Sequence, residues 1–271
     1  GGRVSAAQVY DAIRPETVLV SIMWANNELG TIQPVAEVAR ALAALAPVRG
    51  KRPHLHVDAV QAFGFLRVRP HALGVDTLAL SGHKIHGPKG TGALWVRPGA
   101  RLEPLWDGGR QERGLRSGTE NVAGCVGLAR AAALALEAQD EGIAARIEQE
   151  RDRLESEVLE AIPGARLTVA GAPRAPHIAS LSFPGFPGEP LLHALEARGV
   201  YASAGSACAS RTRGPSAVLK AIGVDDDTAV LRFSLARTTS SAEVDAAVEA
   251  LRDALQEIGE IAPLAKGRPR G

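Results

Sequence analysis

Cysteine is scarce in this chain. Only Cys125 and Cys208 occur in 271 residues, which excludes a disulfide framework. No Cys/His spacing suits a metal. His54 and His56 alternate along an apolar run and read as structural residues, or as neighbours of a bound ring, rather than as ligands. Charge of one sign is also missing: 31 Lys and Arg against 30 Asp and Glu leave a net +1, so electrostatics alone suggests no nucleic-acid partner. There is no apolar run long enough to span a bilayer, no basic-then-apolar leader and no internal repeat, so the expected setting is cytoplasmic, with no membrane partner. Lysine is the scarcer cation. Lys51, Lys84, Lys89, Lys220 and Lys266 are the full set, which shortens the search for a nucleophilic amine.

What is present reads as strands alternating with helices, hence a largely parallel sheet with ligands gathered at strand ends. Ser5 caps a short helix to Ile13, Thr17–Met23 is a strand, and Pro34 opens a helix as its first residue. Strands follow at His54–Asp58, Thr77–Ser81 and Gly92–Val96. A helix over 120–138 carries Cys125, expected as a small core residue. The charged helix Ile143–Ala161 is expected to show its charges to solvent. Further strands are expected at Arg166–Val169, Ile178–Phe183, Val200–Tyr201 and Val230–Ser234, with helices at Pro190–Arg198, 215–222 and Ser241–Ile258, the last capped by Ser240 or Ser241. The domain pattern is 1–129, then 130–260, then a Pro/Arg/Gly tail at 261–271.

Three stretches carry chemistry. Ser81-Gly82-His83-Lys84 follows an apolar strand; a lysine buried there would tend to lose its proton and become a nucleophile for a carbonyl, whereas a lone turn lysine is ordinarily a surface residue. Asp58 ends the preceding strand and Gln61 follows it: a carboxylate suits a pyridinium nitrogen and a carboxamide a ring hydroxyl, although aspartate in that position also serves turns and caps. Trp106–Thr119, rich in Gly and Arg, suits a phosphate or is a plain surface loop. Cys208 sits among small and polar residues beside Arg211 and Arg213, the setting of a reactive thiol.

Five blocks in register extend this reading: Asn26-Asn27-Glu28-Leu29-Gly30-Thr31, Val57-Asp58-Ala59-Val60-Gln61, Ser81-Gly82-His83-Lys84-Ile85-His86-Gly87-Pro88-Lys89-Gly90, Arg113–Thr119 and Ser203–Ser210, closed by Arg232-Phe233-Ser234-Leu235. Together they resemble the cysteine desulfurases, pyridoxal-phosphate enzymes that take sulfur from L-cysteine. The resemblance implies an α/β fold-type I enzyme, with a mainly parallel large domain, incomplete here, and a smaller C-terminal α+β domain with the Cys208 loop. It implies Lys84 in a Schiff base with pyridoxal 5'-phosphate and then as general base, Asp58 at the ring nitrogen, and Gln61 and Asn27 at the ring hydroxyl. Ser81 and His83 take the phosphate, Thr119 reaches the phosphate of a neighbouring subunit in a homodimer, and Asn27 and Arg232 bind substrate. Cys208 receives the sulfur and passes it to an iron–sulfur scaffold or another acceptor. The Ser-Ala-Cys-Ala-Ser setting resembles the long-loop subgroup. In that family Gly1 falls inside the large domain, so a preceding segment with a Gly/Thr-rich phosphate turn and a ring-stacking histidine is expected to be missing. A selenocysteine lyase, an aminotransferase of the same fold, or a non-catalytic interaction protein are the alternatives.

Overall fold

The computed structural model describes residues 1–45, 52–204 and 216–261. Cys208, its arginine neighbours and the C-terminal tail lie outside the described residues. The chain divides into two compact units: Val4–Ala25 with Gln33–Glu141, and Gly1–Arg3 with Asn26–Ile32 and Gly142–Gly271. The expected boundary at 129/130 falls inside a helix that continues to Asp140, and Asn26–Ile32 goes with the C-terminal unit.

In the first unit, helix α1 (Ala6–Asp11) starts from a capping box in which Ser5 and Gln8 satisfy each other's backbone N–H groups. Strand β1 (Leu19–Met23) leads to α2 (Val35–Ala44), whose buried Val35, Val38, Ala39 and Leu42 follow the i, i+3, i+4, i+7 stripe of an amphipathic helix. Pro34 is the residue before that helix rather than its first one. Strand β2 (His54–Asp58) alternates, with Leu55 and Val57 inward. One turn of helix, α3 (Pro70–Leu73), ends at left-handed Gly74, and β3 (Thr77–Ser81) and β4 (Gly92–Val96) complete a sheet of order β1-β2-β3-β4. The first two pairings are parallel and β3–β4 is antiparallel. No helix lies between β3 and β4, only a 3₁₀ turn and a Gly/Pro turn, too short for a parallel crossover.

Helix α4 (Val122–Asp140) starts at Asn121, whose side chain accepts from the Gly124 N–H. Ala131 and Ala135 pack with Ile85, and Phe63, Leu128 and Ala132 line that cluster. The opposite face is open. Val122 and Val126 are more than 60% exposed, and Cys125 is exposed rather than in the core. An Ala-rich helix needs only its small residues inward, so Cys125 falls outside the contact stripe. Against the expectation of no such run, α4 is long and apolar enough, at mean hydropathy 1.3, to cross a membrane by length and composition. Arg130 within it and its small-residue contacts to the 3₁₀ turn suit a packed helix better.

In the second unit, α5 (Ile143–Ala161) buries Ile147, Leu154 and Val158 but also Arg151 and Glu155. Those two charges are not on a solvated face. Arg151 donates to the Ala175 carbonyl and to Asp152, and Glu155 takes both arms of Arg174. Strand β5 (Arg166–Leu167), β6 (Ile178–Pro184), helix α6 (Gly188–Glu196), β7 (Ser203–Ala204), α7 (Ala217–Ala221), β8 (Thr228–Ser234) and α8 (Ser241–Ile261) follow. The sheet has order β5-β6-β8-β7, with every pairing antiparallel. The short strand lies at Ser203–Ala204 rather than Val200–Tyr201, because pairing with Arg232 and Leu231 defines it. The cap of α8 is Ser240, which exchanges hydrogen bonds with Glu243. Asn26–Ile32 joins this unit through Leu29, which packs with Val169, Leu219 and Val230, and through the Ala175 N–H to the Gly30 carbonyl.

Candidate active site

The candidate residues of the N-terminal unit stand at the carboxyl ends of neighbouring strands. Met23, Asp58 and Ala79 are register partners across β1, β2 and β3. Asp58 therefore ends its strand beside the one that runs on to Ser81. One of its carboxylate oxygens accepts the Val60 N–H at 2.9 Å, a turn-type bond that orients the side chain. Gln61 is half-buried two residues beyond Ala59, whose N–H bonds the Ala79 carbonyl.

After β3 the backbone enters a 3₁₀ turn over Gly82–Ile85. Ser81 Oγ and His83 Nδ1 are 2.8 Å apart, a hydroxyl–imidazole pair suited to an anion. Lys84 is exposed, not buried. The 3₁₀ turn sends Ile85 inward, where it is only 4% exposed, and Lys84 outward. The argument for a nucleophile from burial therefore does not apply; what stands is an accessible amine three residues after a strand.

Sequence reasoning missed how that turn is held. A Cβ on Gly82 would run into Thr91 Oγ1 and lie 3.2 Å from Leu128 and from the Pro88 carbonyl. One on Gly87 would lie 2.9 Å from the Gly82 carbonyl, and one on Gly127 2.6 Å from Pro88. These glycines let α4 and the Gly/Pro turn close on the backbone that carries Ser81–Lys84. The signal in the sequence was the spacing Gly82, Gly87, Gly124, Gly127.

Behind Asp58, His54 Nε2 and His56 Nδ1 each lie 2.9 Å from Thr77 Oγ1. One hydroxyl has one proton and two lone pairs, so at least one of the two rings donates to it. Burial lowers the His56 pKa; the Asp58 carboxylate opposes this and His54 adds to it. Both histidines are thus joined to a neighbouring strand, and no metal-binding cluster exists among the described residues. Thr119 is exposed near the end of the Gly/Arg loop. Earlier in that loop, Arg110 and Arg113 line an open crevice of about 560 Å³ with Trp106 and Asp107.

The C-terminal unit holds the remaining candidates. Arg232 on β8 donates from Nη1 to the Asn27 carbonyl at 2.6 Å and from Nη2 to Ser203 Oγ at 2.9 Å. Two anchored arms fix the plane of the guanidinium. The Asn26 carboxamide oxygen is taken by the N–H groups of Glu28 and Leu29, so Asn26 shapes the loop from which Asn27 projects.

Residues 1–247 match the family model described as aminotransferase class-V. The chain belongs to that family. It is 41% identical over 265 residues to the cysteine desulfurase IscS of Methanosarcina thermophila, covering 97% of this chain and 64% of the relative. It is 43% identical to a cysteine desulfurase of Gluconacetobacter diazotrophicus, covering 98% and 65%. Among solved structures, a NifS-like protein has a TM-score of 0.81 at 38% identity, with 94% of this chain and 66% of that chain covered. A NifS-like protein from Rickettsia africae has a TM-score of 0.82 at 28% identity, covering 94% and 67%. The chain thus spans just under two thirds of the length of the curated relatives it matches. Its mixed α/β architecture with parallel β1-β2-β3 is that of fold-type I enzymes.

Proposed function

We propose that this chain contributes to a pyridoxal-phosphate cysteine desulfurase that converts L-cysteine to L-alanine and leaves the sulfur on Cys208. The observation that supports this best is the placement of Asp58 and Ser81–Lys84 at the aligned carboxyl ends of β2 and β3. That donor set suits the cofactor: a carboxylate for a pyridinium nitrogen, carboxamides for a ring hydroxyl, a hydroxyl–imidazole pair for a phosphate, and an exposed amine for the aldehyde. Asp58, Gln61, Asn27, Ser81, His83 and Lys84 would hold it, with Thr119 reaching across a homodimer. When bound, pyridoxal phosphate withdraws electron density from the substrate Cα, so that its proton can leave. Lys84 Nζ takes that proton. Arg232 holds the substrate carboxylate through its planar donors. The Cys208 thiolate attacks the substrate sulfur: the sulfur–sulfur bond of the persulfide forms as the substrate Cβ–S bond breaks. The electron pair of that bond stays with the carbon skeleton, which is protonated and leaves as L-alanine, and a sulfur acceptor or iron–sulfur scaffold receives the outer sulfur. The proposed setting is cytoplasmic.

The test is borohydride reduction in the presence of pyridoxal phosphate, followed by peptide mapping, alongside persulfide detection after addition of L-cysteine. Label is expected on Lys84 and persulfide on Cys208. Label on Lys89 or Lys220, or persulfide that survives Cys208→Ser and vanishes in Cys125→Ser, would overturn the assignment.

A further inference from the structure

Glu28 is a carboxylate only 5% exposed, and a buried carboxylate is costly unless its oxygens are engaged. Its partner is a hydroxyl: Ser216 Oγ donates to Glu28 Oε2 at 2.5 Å, across 188 residues of sequence. The same Ser216 oxygen accepts the Leu219 N–H at 3.1 Å and so caps α7. Leu29, next in sequence to Glu28, packs on Leu219, with Val218 and Ile222 against the same cluster. Asn27, the residue before Glu28, receives Arg232, and Arg232 also binds Ser203 on β7. The tripeptide Asn27-Glu28-Leu29 is therefore tied to the last described residues on either side of 205–215: to β7 through Arg232, and to Ser216 and α7 through Glu28 and Leu29. Glu28 itself is held, with its N–H on Asn26 Oδ1 at 2.9 Å, Gly30 at φ 75°, and Ala175 bonded to the Gly30 carbonyl. A Cβ on Gly30 would come within 3.0–3.2 Å of Ile178, so this turn admits little displacement.

We infer that Glu28 and Ser216 are positioning residues for the sulfur-transfer step, fixing Ser216 and the start of α7, eight residues after Cys208 in sequence, relative to Arg232. The inference rests on the reading of Cys208 as the sulfur carrier. Neither residue touches substrate or cofactor in this assignment. They act by setting the start of α7 against the loop that bears Asn27. A neutral hydroxyl–hydroxyl contact would be weaker; the charge-assisted bond resists displacement.

The experiment compares wild type, Ser216→Ala, Ser216→Thr, Glu28→Ala and Glu28→Gln, all loaded with pyridoxal phosphate. The readouts are cofactor absorbance, single-turnover persulfide on Cys208, and the alkylation rate of Cys208 relative to Cys125 by iodoacetamide. Ser216→Ala and Glu28→Ala are expected to keep the cofactor spectrum and slow persulfide formation by roughly 10–100-fold, the effect of misplacing a reacting group by about an ångström. Ser216→Thr, which keeps a hydroxyl donor on the charged acceptor, is expected to restore most of the rate, and Glu28→Gln, which keeps only a neutral acceptor, part of it. A purely structural role would instead lower cofactor binding and persulfide yield together, without rescue, and that result overturns the inference. So does persulfide formation at the wild-type rate in both alanine variants. If the wild type itself forms no persulfide, the desulfurase reading fails. The inference is then decided by alkylation, and an unchanged Cys208 to Cys125 ratio in Ser216→Ala refutes it.

Discussion

Replacing Asp76 with asparagine tests whether the site end of the first sheet is set from its other end. Asp76 lies just before β3, and its side chain is 4% exposed. Its oxygens accept the Leu55 N–H at 2.8 Å, two bonds from Arg52 at 2.7 and 2.9 Å, and Arg97 at 2.7 and 2.8 Å. Its own carbonyl accepts the Arg97 N–H. One carboxylate thus joins the starts of β2 and β3 to the residue after β4, and β2 and β3 are the strands that end in Asp58 and Ser81. Asparagine keeps one acceptor but turns an amide toward a guanidinium. Breaking a buried pair costs about 3–5 kcal/mol; with Arg52 and Arg97 28% and 45% exposed and able to recover water, about 2–4 kcal/mol is expected. Arg97→Ala, which removes the more exposed partner, is expected to cost about 1 kcal/mol or less. Urea unfolding of the variants gives both values. The pH dependence adds a second check. Burial alone would raise the Asp76 pKa, but the Leu55 N–H and the two guanidinium groups outweigh it and the folded value lies below 3.8. A depressed carboxylate pKa contributes stability that is fully present above the unfolded value and is lost as pH falls through the folded one. The gap between wild type and Asp76→Asn is therefore flat above the unfolded value and narrows below it. A gap no larger than that of Arg97→Ala, or one that does not narrow in acid, refutes the reasoning.

Gly82→Ala is expected to destabilise the first unit by about 1–3 kcal/mol and weaken cofactor binding, because the new methyl group meets Thr91 Oγ1. Adding Thr91→Ala is expected to recover part of the loss, which a double-mutant cycle by thermal unfolding measures. The open apolar face of α4, with Val122 67% and Val126 64% exposed, is expected to drive concentration-dependent association of this chain. Val126→Lys is expected to reduce light scattering at equal concentration.

The limits of β2, β3 and β4 were legible because each is a short apolar run bounded by turn residues, and the alignment of Asp58 with the Ser81 strand followed from strands alternating with helices. The direction of β4 was not, since direction depends on whether a helix fits into the connection, and Ile85–Gly90 offers none. The exposure of Lys84 was hidden for a similar reason: periodicity places a residue within a strand but not on a 3₁₀ turn after it. Cys125 was misplaced because nearly every position on α4 is small or apolar, so no polar face marks the outside. Arg151 and Glu155 looked solvated because their partners, Ala175 and Arg174, lie in another element. The attachment of Asn26–Ile32 to the C-terminal unit has no local signal at all, since Ser203, Ser216 and Arg232 are remote in sequence.

That last point bears on how the two groups of candidate residues respond to substitution. Asp58 and Ser81 are placed by strand register, which many backbone bonds share, so a single side chain carries little of their position. Asn27 and Arg232 are placed differently. Asn27 stands on a loop that gains its order from the local turn bonds of Asn26 and from the remote contacts of Glu28, Leu29 and Thr31. Glu28 and Asp76 form a matched comparison, two carboxylates 5% and 3% exposed. Loss of Asp76 removes several charged bonds but leaves the ladders of β2 and β3 to hold Asp58 and Ser81 near their places. Loss of Glu28 removes one bond, yet that bond joins the Asn27 loop to α7 and no ladder stands behind it. The larger stability change therefore belongs to Asp76, and the larger change in chemistry to Glu28.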